Sequence, residues 1–399
     1  MLGSSWLRER MRVTTVVLGD LGRSPRMQYH AEALAAHHVD VDVVACAGSA
    51  LHAELRDHPR ITCHLLPPAR ERAWPRALLL PAAAARAVVQ ALRLVWVFMV
   101  VLRKPDVILV QSPPAIPTLL VTVAAARLRG ARLVIDWHNL AWAVLALGVG
   151  ARHPIVGLAR WYERALGRRA DAHLAVSDAL REALAQRWGL APVTVLRDRP
   201  AARFAPLAPE ARESWRRRLA DTLGLDDRRP AIVVSPTSWT RDEDFDVLLE
   251  AVRRCEALVA GRPFPDVLVL LTGRGARRAG FEAAAAALPG RRIPDLGLCL
   301  HRSASGLDLP MKIADMQGAG LPVCALDYGP CLDEMLRHDD TGLRFADAGA
   351  LARQWVDLLA RFPATPWLDR LRANVLKARE VTWRAGWDAE AREVLLAHA

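Results

Sequence analysis

Apolar residues recur along this chain in short runs, separated by longer stretches in which they fall at helical spacing. In the first half, strand-like runs at 14–18, 41–45, 107–111, 133–136 and 173–176 alternate with helical stretches at 27–37, 82–102, 116–128, 155–166 and 178–186. In the second half, runs at 231–235, 267–272, 296–301 and 323–327 alternate with helices at 245–259, 277–287, 309–317 and 350–361. This β/α alternation predicts parallel sheets with helices on both faces. The polar, Pro-containing, Arg-rich stretch 198–218 reads as a linker region, so an α/β chain of two doubly wound domains is expected.

The 399 residues, 52% of them apolar, suffice for two cores. A net charge of +11 suits an anionic partner such as a nucleotide, a phospholipid surface or nucleic acid. Nucleic acid is disfavoured, since no basic patch is interleaved with aromatics and no reading motif occurs. Six cysteines lie apart, without a CxxC pair or zinc-ligand spacing, and read as reduced structural thiols of a cytoplasmic protein. The excess of arginine and alanine over lysine is the composition expected of a GC-rich, bacterial genome. No signal peptide is expected, because the apolar run at 13–18 is too short. A transmembrane helix is not expected either, because Arg86 and Arg93 interrupt the apolar stretch 76–102. That stretch reads as an amphipathic helix, suited either to a membrane interface or to packing on a core.

Ligands in such sheets collect at the carboxyl ends of the strands, and the informative residues fall there. The first run leads into a Gly loop with Gly22, Arg23 and Arg26, whose spacing is not that of a dinucleotide fingerprint. The run at 133–136 ends in DWHN, where Asp136 and His138 form a carboxylate–imidazole pair and either could accept a proton; a purely structural histidine is the alternative. Hydroxyls of Thr237 and Ser238 follow the run at 231–235, and TGRG follows 267–271, with Arg274 suited to a bidentate phosphate contact. The most informative segment is HRSASGLDLPMK, from His301 to Lys312, with Ser303 and Ser305 in its loop. It predicts a helix with Asp308 as N-cap, Pro310 just inside, and Lys312 in the first turn, where the dipole disfavours a cation. An anionic ligand at the helix end would account for that lysine. Asp308, Lys312 and Asp315 would share one face, so the alternative role for Lys312 is to bridge these two carboxylates. Against that, Lys104, Lys312 and Lys377 are the only lysines among 54 cationic side chains. Arg274 and Lys312 together read as a two-point diphosphate clamp.

The segments VVLGDLGRSPRMQYHA, VILVQSPPAIP, VIDWHN, RWYE, RDRPAARFAPL, PTSWTRDEDF and LGLCLHRSASGLDLPMKIADMQGAGLPVCA resemble, in order, the chitobiosyldiphosphodolichol beta-mannosyltransferase family. The resemblance implies a GT-B fold, two Rossmann-like domains facing a cleft. Residues 1–206 would bind the acceptor, with 383–399 packing back on them, and 207–382 would bind the nucleotide sugar. It implies an inverting glycosyltransferase that moves mannose from GDP-mannose, without a required metal or other cofactor, to a polyprenyl-diphosphate-linked, chitobiose-like acceptor in β-linkage. Asp136 or His138 would be the base, with Glu163 of RWYE as a third candidate. Arg274, Lys312 and the amides after Asp308 would neutralise the departing diphosphate, and Asp315 would meet the ribose. Thr237, Ser238, His301, Ser303 and Ser305 would complete the donor site, and Gly22, Arg23 and Arg26 would hold the acceptor diphosphate. Peripheral attachment to the cytoplasmic face of a membrane is expected, with other glycosyltransferases as partners.

The sequence departs from the family in three ways. The family likeness starts near Arg12, so no amino-terminal anchor is expected, and in a bacterial cell an undecaprenyl-type acceptor lipid would replace dolichol. Only 291–295 separates the helix after TGRG from the next strand, where the family spends a further strand, loop and helix that help to pocket the base. An open donor pocket, an altered donor or an inactive relative would each follow from that shortening. The alternatives are thus a glycosyltransferase with another nucleotide sugar, or a catalytically silent subunit beside a membrane glycosyltransferase.

Overall fold

The structure, a computed structural model, describes residues 11–68, 78–223, 231–275, 277–285, 295–379 and 381–397. The chain divides into two compact units, one running to Arg197 and resuming at Arg384, the other comprising Asp198–Trp383.

In the first unit the strands are β1 (Arg12–Asp20), β2 (Asp40–Cys46), β3 (Ile61–Leu66), β4 (Val107–Ser112), β5 (Arg132–Trp137), β6 (Ala172–Ala175) and β7 (Val193–Val195). They pair in parallel in the order β3-β2-β1-β4-β5-β6-β7. The second unit holds β8 (Ala231–Pro236), β9 (Val267–Thr272), β10 (Leu296–Cys299), β11 (Val323–Leu326) and β12 (Gly342–Phe345), parallel in the order β12-β11-β10-β8-β9. Strands β1, β4 and β5 are apolar and buried on both faces, as helices on both sides of a parallel sheet require. The strands beyond those expected from the pattern, β3, β7 and β12, all lie at sheet edges. There one side is open and the apolar signal is weak.

Strand order reverses between β1 and β4 in the first unit and between β8 and β10 in the second, and the crevices outside these strand ends are where doubly wound sheets take ligands. The C-terminal helix Trp383–Glu390 closes the first unit: Trp387 is fully buried, and its Nε1 donates to Nδ1 of His30 at 3.0 Å.

The expected amphipathic stretch forms the helix Leu79–Trp96, continued by a π-helical turn Val97–Val101. Only its C-terminal end is seated. Leu94, Val97 and Phe98 are buried, and Arg129 donates to the carbonyls of Phe98 and Leu102, the latter at 3.0 Å. Val88, Leu92, Trp96 and Val100 stand out into solvent, so packing on a core is not what most of the helix does. By length and composition Pro81–Val101 could cross a membrane, contrary to the expectation that no helix here would be long and apolar enough.

Candidate active site

At the end of β5 the side chains of Asp136 and His138 are two residues apart and so fall on one face of the strand, while Trp137 turns into the core. Asp136 is completely buried. Its two oxygens receive Nε and Nη2 of the equally buried Arg26, each at 2.8 Å, and Nη1 of Arg26 donates to the Leu196 carbonyl at 2.8 Å. His30 Nε2, at 3.1 Å, and His138 Nε2, at 2.9 Å, lie on the same carboxylate oxygen. Because the indole of Trp387 donates to His30 Nδ1, His30 carries its proton on Nε2 and donates it to Asp136. Burial acts to raise the Asp136 carboxyl and also lowers the His30 imidazole, but Arg26 and His138 hold Asp136 well below the usual carboxylate range.

In this arrangement Asp136 is an anion held in an ion pair with Arg26, and it lies within hydrogen-bond reach of His138, whose side chain keeps 21% of its surface exposed. Arg26, with its fork filled and no surface exposed, has nothing left for an acceptor diphosphate. Arg23 is exposed. Gly22 lies where a Cβ would come within 2.5 Å of the Ser49 carbonyl, so it allows close packing of the loop, whose amide is tied to Asp20 at 2.9 Å. Glu163 is also buried. Its oxygens accept from the amides of Ala141 and Trp142, both at 2.9 Å, and so cap the helix Ala141–Val149. Burial, only partly offset by those amides, raises its carboxyl to about 7.

The switch point of the second unit gathers the other cluster. Two glycines let the loops after β8 and β9 touch: a Cβ on Gly273, whose φ is +85°, would lie 1.9 Å from the Thr237 carbonyl, and one on Gly275 would lie 2.4 Å from that of Ser238. The Thr237 hydroxyl donates to the Thr272 carbonyl at 2.5 Å. Arg274, between these glycines, is exposed.

The loop after β8 carries three consecutive acids with three separate tasks. Asp242 accepts from His301 Nδ1 at 3.0 Å, and Asp244 caps the helix Phe245–Val259. Glu243, 2% exposed, accepts from the Ser238 amide at 3.0 Å and pairs with the ammonium of Lys312. Glu243 was not among the residues expected at the site; three adjacent carboxylates at a helix entry, in a chain of net charge +11, are the signal that points to it.

His301 bridges the two loops, with Nε2 on Asp308 at 3.0 Å. Burial opposes its charge, but hydrogen bonds to Asp242 and Asp308 raise the imidazole to about 9, so it is a cation whose ring nitrogens both have protein partners. Ser303 donates to Asp308 and accepts from the Gly306 amide, while Ser305 accepts from the Leu307 amide. These side chains therefore build the loop from within.

The helix begins later than expected, at Met311, with Pro310 at the cap position and no side-chain cap. Asp308 lies outside the helix because His301 and Ser303 hold its carboxylate, so the shared face of Asp308, Lys312 and Asp315 is not formed. Lys312 sits in the first turn, as expected, but its carboxylate partner is Glu243, on a different element. Asp315, one turn on, has a buried oxygen without a hydrogen-bond partner, and burial together with Asp198, opposed by Arg203, raises its carboxyl to about 7. Among the described residues no group of His, Cys, Asp and Glu could hold a metal. Most of the shortened segment 291–295 falls outside the described residues, but among the described residues β9 pairs with β8 alone and stands at the sheet edge.

Residues 22–199 match the Glycosyl transferase 4-like domain family. The chain is 37% identical to the chitobiosyldiphosphodolichol beta-mannosyltransferase of Homo sapiens, covering 96% of this chain and 92% of that one. It is 35% identical to the UDP-glycosyltransferase TURAN of Arabidopsis thaliana, with 96% of each chain covered. These relatives are eukaryotic and lend no support to the bacterial origin expected from composition. Among solved structures, Anabaena HepE in complex with UDP and glucose superposes with a TM-score of 0.65 at 16% identity, covering 95% of this chain and 98% of that one. WaaG, a glycosyltransferase involved in lipopolysaccharide biosynthesis, gives 0.63 at 14% identity, over 96% and 99%. At such identities the likeness shows the fold, which is GT-B.

Proposed function

The chain belongs to the chitobiosyldiphosphodolichol beta-mannosyltransferase family and is a glycosyltransferase; on that footing we propose that it moves mannose from GDP-mannose to a lipid-diphosphate-linked chitobiose-like acceptor with inversion. The observation that carries the reading is Lys312. It is one of three lysines in an arginine-rich chain, aligned by the buried Glu243 in the first turn of a helix whose leading amides lack a side-chain cap. A departing diphosphate would be met by that ammonium, by the helix end and by Arg274. Asp315 supplies a carboxylate oxygen for ribose hydroxyls. In the first unit His138, oriented by Asp136, is the base for the acceptor hydroxyl, and Arg23 remains the acceptor-side cation. No bound metal or other cofactor enters this scheme, because protein cations and the helix end take the leaving-group charge. The exposed helix Leu79–Trp96 would lie on the cytoplasmic face of the membrane that holds the acceptor.

A second reading, the same chemistry with another nucleotide sugar, is favoured by the name of the Arabidopsis relative. A panel of GDP- and UDP-sugars, scored by nucleoside diphosphate released with a lipid-linked chitobiose acceptor, separates the two. GDP release from GDP-mannose supports the first; release from UDP-sugars alone replaces it with the second.

A further inference from the structure

The helices Ala141–Val149, Pro154–Gly167 and Asp178–Trp188 enclose a hollow of about 450 Å³ that the proposed chemistry does not use. Its walls carry Trp142, Trp161, Trp188, Arg160, Arg164 and Arg187, and no carboxylate lines it. The spacing of Gly157, Arg160, Trp161 and Arg164 puts them on one helix face, and Gly157 keeps the middle open, since a Cβ there would meet nothing within 4 Å. The floor is apolar and buried, formed by Leu140, Leu184 and Trp188. The Arg160 guanidinium lies over the Trp142 ring, 5.0 Å from its centroid. Among the described residues none of the three arginines forms an ion pair, and the buried Nε1 of Trp142 has no hydrogen-bond partner.

Unpaired guanidinium groups around a hollow without acids fit a phosphate. The surroundings say what kind. Trp161 is 64% exposed and Leu158 60%, and Val144, Leu147 and Val149 on the neighbouring helix are also exposed. Tryptophan flanked by exposed aliphatic side chains and arginine is the composition of a membrane–water interface, and it would be a liability on a surface that meets only water. We infer that this hollow seats the phosphate of an anionic phospholipid, with Trp161 and Leu158 entering the bilayer beside it. The hollow then gives the first unit a second membrane contact besides the helix Leu79–Trp96 and limits its rotation on the surface. The inference rests on the membrane reading above and adds to it a specific lipid class and site.

Flotation of the full chain with vesicles of phosphatidylcholine, alone or mixed with phosphatidylglycerol, tests this. The triple variant Arg160→Gln, Arg164→Gln, Arg187→Gln should bind the mixed vesicles roughly a hundredfold more weakly and the neutral ones unchanged. A matched variant, Arg253→Gln, Arg278→Gln, Arg337→Gln, removes equal charge from exposed sites on the other unit and should lose far less. Equal losses in the two variants would reduce the effect to net charge and overturn the site. Loss of acceptor-dependent turnover with vesicle binding intact would assign the hollow to the acceptor's diphosphate and also overturn it. If wild type bound neither vesicle, the membrane reading itself would fail. If wild type bound both equally and the triple variant matched it, only the site would fail. Circular dichroism melting confirms that each variant is folded.

Discussion

Replacing Lys312 by methionine removes one half of a buried ion pair and, in the proposed mechanism, the cation that meets the leaving diphosphate. The two effects can be separated. Glu243 is 2% exposed and Lys312 23% exposed. Orphaning a buried charge costs about 3–5 kcal/mol; the amides of Ser238 and Thr240 still hold Glu243, so about 2–3 kcal/mol is expected for this pair. Loss of a preorganised charge opposite the departing group should lower kcat by about 10²–10³. Lys312→Met combined with Glu243→Gln removes both charges and should restore stability to within about 1 kcal/mol of wild type, yet leave turnover as low as in the single variant. Urea denaturation gives the first quantity and release of nucleoside diphosphate the second. If turnover returned with stability in the double variant, Lys312 would be a structural lysine and the diphosphate site would have to lie elsewhere.

Three further outcomes follow from the same geometry. Burial disfavours the His301 cation, but Asp242 and Asp308 raise the ring to about 9, so its stabilising contribution is complete below pH 6.5 and is lost as pH rises through 9. Denaturation of wild type against His301→Gln should show a difference shrinking by up to about 3 kcal/mol over that range; a constant difference would mean that the ring is not held charged. Gly273→Ala, which would put a Cβ 1.9 Å from the Thr237 carbonyl at a φ of +85°, should destabilise by about 2 kcal/mol or more, whereas Gly280→Ala, a helical position open on all sides, should be neutral or stabilising by up to about 1 kcal/mol, as thermal melts would show. Asp136→Asn leaves Arg26 without its buried counter-charge and should cost about 3–5 kcal/mol in denaturant titrations, with kcat falling about a hundredfold because His138 loses its orienting carboxylate.

The doubly wound architecture was legible because central parallel strands must be apolar on both faces, which leaves runs such as those of β1 and β4 unmistakable. Edge strands β3, β7 and β12 have no such constraint and escaped notice. The strand-end positions of Asp136, His138, Thr237 and His301 were legible for the same reason. What the sequence could not show was which polar groups answer each other across loops. Arg26 and Asp136 are 110 residues apart, and Lys312 and Glu243 are 69 apart. Spacing arguments find only partners on one element, and for Lys312 they offered Asp308 and Asp315 as the alternative to an anionic ligand. The late helix start has the same origin: Asp308 has the chemistry of an N-cap, but a cationic histidine seven residues earlier holds its carboxylate more strongly.

The central claim is β-mannosyl transfer to a lipid-linked acceptor, and its most direct test is the product. Incubation with GDP-mannose and lipid-diphosphate-linked chitobiose, followed by release of the glycan and digestion with an anomer-specific mannosidase, should give a trisaccharide cleaved by β-mannosidase and resistant to α-mannosidase. A glycan cleaved only by α-mannosidase, or no mannosylated lipid at all while a UDP-sugar is consumed, would contradict that claim.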